Sequence, residues 1–180
     1  LTGILSEILK KTGVMNTLTN AEYHSHPAVS KSDLDLISRS PLHFKTAKEA
    51  PKVQTESMLL GSLVHKLVLE PDDFDNEYIV APVCDRRTKQ GKEIWNDFME
   101  SSAGMSVITE GLKSKAESIA DAVLKDAAAA CILRNGQAEQ SFFWTDDETG
   151  VECKCRPDYL KSSGIVADLK TTSDASPESF

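Results

Sequence analysis

The sequence lacks three features that would each mark a class of protein. No apolar run approaches the ~18 residues of a membrane-spanning helix. The net charge is −8, from 20 basic and 28 acidic residues, so a general basic coat for nucleic acid is absent, although a local basic groove is not excluded. The four cysteines form no C-x-x-C pair and no Cys/His cluster at zinc spacing. These absences predict a protein with reduced thiols, no membrane partner and a cytoplasmic location.

The length of 180 residues corresponds to about one domain. No repeat or long Pro/Gly linker divides the chain, so we predict a lead-in over residues 1–20 and one domain over residues 21–180. The sequence stops at Phe180, just after a predicted strand and a helix-start pattern, Ser176-Pro177-Glu178. We therefore expect part of the fold to lie beyond this end.

Helices are predicted for the first two thirds of the chain. Ser30 with Asp33, and then Ser40-Pro41, are typical helix starts. Residues 55–70 have a broad apolar face and predict a buried helix that ends at Pro71. Further along, the pattern predicts a strand at 76–81, a helix at 88–101, a strand at 105–108 and an Ala-rich helix from Thr109 to about Leu133.

The last third changes to a strand pattern. Residues 139–145, 151–160 and 165–171 are rich in Val, Ile and aromatic residues and are separated by turn sequences. They predict an antiparallel three-stranded meander. The fold class is therefore α/β, with a mixed sheet flanked by helices.

Asp158 and Asp168 are ten residues apart across the turn at 162–164, a separation that brings them together in a hairpin. Pro157 removes a ladder donor, which confines it to a sheet edge or a bulge, and a bulge would re-aim the next side chain. Two carboxylates this close would repel each other, and a divalent cation between them removes the conflict. The sequence therefore predicts a Mg²⁺ or Mn²⁺ site.

Lys170 shares a strand face with Asp168. Beside a cation an amine has a lowered pKa and can orient or deprotonate a water molecule. Together with the two carboxylates, such an amine could hydrolyse a phosphodiester. A second cation about 3.5–4 Å away would hold the leaving oxygen. The alternative is that both aspartates are surface charges paired with Arg156 and Lys170.

The string Arg156-Pro157-Asp158 followed by Asp168-Leu169-Lys170-Thr171 resembles the PD-(D/E)xK nuclease signature in its RecB-like form. Two further matches support the resemblance: Gly61 to His65 is similar to the G-x-x-x-H helix of that superfamily, and Glu139 precedes a predicted strand. The resemblance implies a restriction-endonuclease-like core. Without the other motif residues, His65 would be interpreted as an ordinary histidine on an apolar helix.

Much of the chain, from Ala21 to Thr172, is similar to one branch of that superfamily, the exodeoxyribonuclease VIII type, which is related to lambda exonuclease. The similarity lies in Tyr23-His24, residues 29–34, Leu69-Glu70-Pro71, and Ala81-Pro82 with the basic residues that follow. It implies a phage or prophage exonuclease that digests one strand of duplex DNA from the 5′ end and leaves a 3′ tail for recombination. It also implies a ring-shaped homo-oligomer around DNA and a single-strand annealing partner.

The resemblance also implies roles for individual residues. Lys170 would be the catalytic amine, and Asp158 and Asp168 would be both catalytic and metal-binding. His65 and the Leu169 carbonyl would be further ligands of what are expected to be two Mg²⁺ or Mn²⁺ ions. For Glu139 two uses stay open, a metal contact through water and a strand cap.

Several residues are candidates for DNA contact. Arg86, Arg87, Lys89 and Lys92 form the one local concentration of positive charge in the sequence and predict a track for the DNA backbone, with a solvated helix face as the alternative. Arg156 would hold a phosphate or neutralise Glu152. Ser30 and Ser32, at a predicted helix start, would accept a terminal phosphate or simply cap the helix.

One feature of the RecB-like pattern is absent. A helix bearing Gln and Tyr usually follows the D-x-K strand, and no such segment precedes Phe180, so the C-terminal part of the family fold is expected to be missing. Two other functions stay open: an endonuclease with the same site, and a DNA-binding or recombination module without catalysis. Retention of Asp158, Asp168 and Lys170 together argues against the second.

Overall fold

The computed structural model describes residues 18–51 and 53–179. They pack into two compact units, one comprising the chain up to Gln54 with Ile132–Leu169, and the other Thr55–Cys131 with the chain from Lys170 onward. The helices of the described residues, in chain order, are α1 (Asn20–Ser25), α2 (Lys31–Arg39), α3 (Pro41–Glu49), α4 (Glu56–Leu69), α5 (Phe74–Glu77), α6 (Lys89–Ser101), α7 (Glu110–Lys125) and α8 (Ala127–Ile132), with short 3-10 turns at Pro71–Asp73 and Pro177–Ser179. The strands are β1 (Tyr78–Val80), β2 (Ser106–Ile108), β3 (Gly136–Ala138), β4 (Phe142–Thr145), β5 (Glu152–Cys155), β6 (Tyr159–Lys161) and β7 (Val166–Ala167).

Side-chain caps fix most helix starts. The hydroxyl oxygens of Thr55, Thr88 and Thr109 each accept a backbone N–H from three residues further on, at the starts of α4, α6 and α7. Ser40 does the same for α3, whose first residue is Pro41. These bonds satisfy donors that would otherwise have no partner in the first turn. The predicted starts of α2, α3, α6 and α7 are confirmed.

The second unit has a helical core beside a small parallel sheet. α4 packs against α7, and their contact buries Leu63 and Val64 of α4 with Ala116 and Ala120 of α7. β1 pairs in parallel with β2, from Tyr78 opposite Ser106 onward. Small residues on α7 permit the close approach of the two helices. The buried helix predicted over 55–70 is confirmed.

The first unit contains two sheets, where the sequence predicted one meander. β3, β6 and β7 form an antiparallel sheet in the order β3-β6-β7, and a separate two-stranded sheet pairs β4 with β5. The division falls at Glu139, whose φ of 50° interrupts the extended backbone between β3 and β4, and at Pro157, which has no N–H to donate between β5 and β6. The α/β class is confirmed, but the strand grouping within the predicted meander is wrong.

Two other element boundaries differ from the sequence-based expectation. Asp126 takes an extended conformation, with φ −72° and ψ 124°, and divides the predicted Ala-rich helix into α7 and α8. Its carboxylate accepts the backbone N–H groups of Ala128 and Ala129, so it caps α8. The strand predicted from residue 76 begins only at Tyr78, because Phe74–Glu77 closes a helical turn first.

The face of β5 that carries Lys154 is covered by α1. The Lys154 ammonium donates to the carbonyls of Tyr23 and His26, at 2.7 and 2.8 Å, and lies over the Tyr23 ring. Cys153 and Cys155 alternate with Lys154 along this strand, and as the more apolar residues they would be expected on its buried side. Lys154 is the buried residue and both cysteines are only half-buried, because α1 packs on the lysine side. Over residues 18–51 and 53–179, no helix is both long and apolar enough to span a bilayer.

Candidate metal centre

Three acidic residues end neighbouring strands of the three-stranded sheet. Ala138 of β3 lies opposite Tyr159 of β6, and Tyr159 lies opposite Ala167 of β7. Continuing this register by one residue places Glu139, Asp158 and Asp168 side by side along one edge of the sheet. The pairing of Asp158 with Asp168 follows the hairpin that the sequence predicted.

Backbone contacts hold this row together. The Glu139 N–H donates to the Asp158 carbonyl at 3.1 Å. The Leu169 N–H donates to Asp158 Oδ2 at 2.6 Å, a short bond of the kind that a charged acceptor makes. Asp158 is thus held on both sides: its carbonyl bonds to Glu139 and its carboxylate bonds to Leu169.

Glu139 has an uncommon backbone conformation. Its φ of 50° lies in the left-handed region, which residues other than glycine rarely adopt and which costs about 1–3 kcal/mol where the surroundings enforce it. The sequence pattern predicted Glu139 just before the first strand of a meander. The structure places it directly after β3, where its left-handed backbone interrupts the extended chain before β4.

The two half-buried carboxylates have the chemistry of a cation site. A carboxylate oxygen of Glu139 and one of Asp158 lie within 4.8 Å of each other, and both residues are half-buried. Neighbouring carboxylates favour a divalent cation, which takes oxygen ligands and removes their repulsion. These two residues therefore fit the metal that the sequence predicted, with Glu139 near enough to Asp158 to take part.

The D-x-K segment alternates as the sequence predicted. From Val166 to Lys170, exposed and half-buried residues alternate, with Val166, Asp168 and Lys170 on the exposed side. Ile165, at the end of the turn, is 50% exposed although it is a large apolar residue. The boundary between the two units falls after Leu169, so Asp168 belongs to the first unit and Lys170 to the second.

His65 lies on α4 in the second unit and is half-buried. Gly61 lies one turn before it, and a Cβ on Gly61 would be 3.0 Å from the Thr171 hydroxyl oxygen. The glycine thus permits close approach of the segment that follows Lys170.

Arg156 is held by groups of the first unit. Its Nε and Nη2 both donate to the hydroxyl oxygen of Ser141, at 2.9 and 2.6 Å, and Nη2 also donates to the Leu18 carbonyl at 2.8 Å. The guanidinium carbon lies 4.2 Å from the centre of the Tyr23 ring. Ser141 is fully buried and was missed by the sequence analysis. Its one signal in the sequence was its place directly before the aromatic run at residues 142–144.

Ser30 acts as a helix cap in the structure. Its N–H and its hydroxyl both donate to the Asp33 carboxylate, at 2.9 and 2.8 Å, and Lys48 forms an ion pair with Asp33 at 2.7 Å. Burial alone would raise the pKa of the Asp33 carboxyl, but the hydrogen bonds from Lys48 and Ser30 outweigh it and lower that pKa. Because the Asp33 carboxylate already accepts both donors of Ser30, the structure favours helix capping over phosphate binding for this serine. Ser32 lies on the same helix and is exposed.

The predicted basic residues Arg86, Arg87, Lys89 and Lys92 are all exposed, at and just before the start of α6 in the second unit. The Arg86 guanidinium carbon lies 4.0 Å from the centre of the Trp95 ring. Arg87 lies 3.7 Å from the Asp85 carboxylate.

A mixed α/β fold with carboxylates at the ends of neighbouring strands, next to a D-x-K segment, defines the PD-(D/E)xK class. The family described as "PDDEXK-like domain of unknown function (DUF3799)" matches residues 30–180. Since this match covers most of the chain, the protein belongs to that family and, through it, to the PD-(D/E)xK nuclease superfamily. No curated protein shows significant similarity to the chain. The family match supports a nuclease with a divalent metal and does not distinguish the exodeoxyribonuclease VIII branch.

Proposed function

We propose that this protein is a Mg²⁺-dependent deoxyribonuclease that hydrolyses duplex DNA from its 5′ ends and leaves 3′ single-stranded tails. The observation that carries the proposal is the row of Glu139, Asp158 and Asp168 beside the D-L-K segment, in a chain of the PDDEXK-like family. The 5′ polarity, the role in phage recombination, the ring-shaped oligomer and the annealing partner rest on the sequence resemblance alone.

Each residue of the site has a proposed role in binding the metal or in orienting the water. Asp158, oriented by the Leu169 N–H, and Asp168 would bind the cation, with Glu139 and the Leu169 carbonyl as further oxygen ligands. When bound, Mg²⁺ or Mn²⁺, as one or two ions, supplies Lewis-acid chemistry that stabilises charge on the phosphoryl oxygens. The Lys170 ammonium would orient the attacking water towards phosphorus and neutralise the charge that develops there.

His65 would complete the ligand set. Its support is the G-x-x-x-H pattern on α4 and the close approach of Thr171 to Gly61, one turn away within the second unit. A neutral imidazole is an ordinary ligand for Mn²⁺ and a less common one for Mg²⁺. We therefore expect His65→Ala to weaken activity with Mn²⁺ at least as much as activity with Mg²⁺.

The test compares nucleotide release from linear duplexes labelled at the 5′ or the 3′ end, with and without Mg²⁺. We expect Mg²⁺-dependent release that begins at the 5′ label, and a rate at least ~10²-fold lower for Lys170→Ala, the size expected on loss of a positioned acid–base group. Lys125→Ala is the matched control, because this exposed lysine pairs with Asp121 on α7. Unchanged release by Lys170→Ala would refute the role of the lysine. Cleavage of a closed circle would instead identify an endonuclease.

A further inference from the structure

A basic and aromatic surface lies at the start of α6, within the second unit. It comprises Arg86, Arg87, Lys89, Lys92 and Trp95, and we call it the α6 patch. The guanidinium of Arg86 stacks over the Trp95 ring, with 4.0 Å between its carbon and the ring centre. Phe98 lies one turn further along the helix, with its ring centre 5.5 Å from that of Trp95.

The loop that carries Arg86 is seated tightly on the helix. The Asp85 carbonyl accepts both the N–H and the hydroxyl of Thr88, at 3.0 and 2.9 Å, and the Asp85 carboxylate accepts the Arg87 N–H at 3.0 Å. A Cβ at Gly91 would lie 2.0 Å from the Asp85 carbonyl oxygen, so only glycine permits this packing. The Arg86–Trp95 pair is therefore presented by a defined backbone rather than by a freely moving loop.

The charges of the patch suit a polyanion with exposed bases. Its four cations lie between residues 86 and 92 and are all exposed, in a chain with a net charge of −8. Trp95 is half-buried. Stacking of bases on aromatic rings or on guanidinium planes, with cations along the backbone, is the usual mode of binding to single-stranded nucleic acid. A duplex conceals the base faces that such a stacked pair would contact, and it would use the cations alone.

We propose that the α6 patch binds single-stranded DNA. A base stacks on the Arg86–Trp95 pair, while Arg87, Lys89 and Lys92 neutralise phosphates of the same strand. The choice of DNA rests on the proposed nuclease function, and the patch extends that function with a contact for the single strand that cleavage would expose. Trp95 thus joins the four basic residues of the predicted track as a base-stacking residue.

The experiment uses tryptophan fluorescence, since the protein has two tryptophans, Trp95 and Trp144. In a Trp144→Phe background, the full chain is titrated with a short oligodeoxythymidylate in EDTA, which prevents cleavage. We expect saturable quenching of Trp95 by the single strand and little quenching by a duplex of equal length. Equal quenching by duplex and single strand would overturn the proposal.

Two sets of substitutions separate stacking from charge, with affinity measured by anisotropy of a labelled oligonucleotide. Trp95→Leu should weaken binding about 5-fold or more at an unchanged salt dependence, and Trp95→Phe should retain most of the affinity. The Lys89→Gln, Lys92→Gln double variant should reduce the slope of log affinity against log salt by about 1.4, or ~0.7 for each phosphate contact. Lys115→Gln, an exposed lysine of α7, should change neither quantity.

The outcomes distinguish this inference from the proposed function. Lys170→Ala should retain full quenching and lose cleavage. If the wild-type protein cuts no DNA but Trp95 is quenched, the nuclease proposal fails and the single-strand site stands. If cleavage occurs and Trp95→Leu binds the single strand as tightly as the wild type, the site at the α6 patch is refuted.

Discussion

At the scale of single residues, Lys154 shows how a charge is accommodated inside the first unit. Its side chain is 4% exposed, and its ammonium donates to two carbonyls, of Tyr23 and His26, at the C-terminal end of α1. Cations are favourable at this end of a helix because the last carbonyls lack partners within it. Lys154 thus connects α1 to β5.

We expect Lys154→Met to lower the free energy of unfolding by about 1–3 kcal/mol, because it leaves a buried and a half-buried carbonyl without this donor. Urea denaturation monitored by circular dichroism measures the change. Lys31→Met, at an exposed lysine of α2, is the matched control, for which a change within ~0.5 kcal/mol is expected. Equal stability of the two variants would show that the ammonium contributes nothing there.

The Asp33 carboxylate should make stability depend on pH. Its pKa is lowered in the folded protein, against the effect of burial, by hydrogen bonds from Lys48 and Ser30. A carboxyl with a lowered folded pKa contributes stability above its unfolded pKa of ~3.9 and loses it as the pH falls through the folded value. Wild-type protein should therefore lose more stability than Asp33→Asn between about pH 6 and pH 3. Urea midpoints at the two pH values test this, with the exposed Asp35→Asn on the same helix as the charge-matched control.

At the scale of elements, the sequence predicted what is determined locally. Helix starts follow from one capping side chain and the first turn, so Ser40, Thr88 and Thr109 were sufficient. The break at Asp126 was missed because a run of good helix formers surrounds it. β3 was missed because Asn135-Gly136 is typical of a helix end, whereas the pairing of β3 is with residues 159–161, more than 20 residues away.

The candidate site was predictable to a similar degree. Spacing alone brought Asp158 opposite Asp168, since the two are joined by a short turn. The position of Glu139 depends on its left-handed backbone. The role of Ser141 depends on the hydrogen bond that it accepts from Arg156, 15 residues further on. No local pattern encodes either contact, because both form only when separate strands pair.

The pairing of β3 with β6 depends on Gly136. A Cβ there would lie 2.4 Å from the Leu160 carbonyl oxygen and 2.6 Å from the Tyr159 ring. We expect Gly136→Ala to destabilise the protein by about 1–3 kcal/mol by forcing the two strands apart. Urea denaturation measures this effect.

The control for that substitution is Gly111→Ala, on α7, where an added Cβ meets no atom within 4 Å. It should raise stability by about 0.4–1 kcal/mol, because alanine favours the helix and restricts the unfolded chain. If both alanine variants are stabilising, the close approach of β3 and β6 is not a constraint on the sheet.

At the scale of the whole molecule, a net charge of −8 means that any cation will screen repulsion to some degree. A specific site must be separated from this general effect. The carboxylates of Glu139 and Asp158, within 4.8 Å of each other, predict a response to divalent cations beyond that of ionic strength. The same acidity makes the α6 patch the part of the described surface where a polyanion would meet concentrated positive charge.

Mg²⁺ should therefore raise the thermal unfolding midpoint of the wild-type protein above that in NaCl of equal ionic strength, with ~2.7 kcal/mol of stabilisation at a hundredfold excess over the dissociation constant. Asp158→Asn should abolish this difference, because an amide oxygen can still accept the Leu169 N–H but brings no charge to the cation. Asp97→Asn, an exposed residue of α6, removes the same charge from the molecule and should respond to Mg²⁺ as the wild type does. If Asp97→Asn and Asp158→Asn lose the response equally, Mg²⁺ acts through net charge and the carboxylate row is not its site.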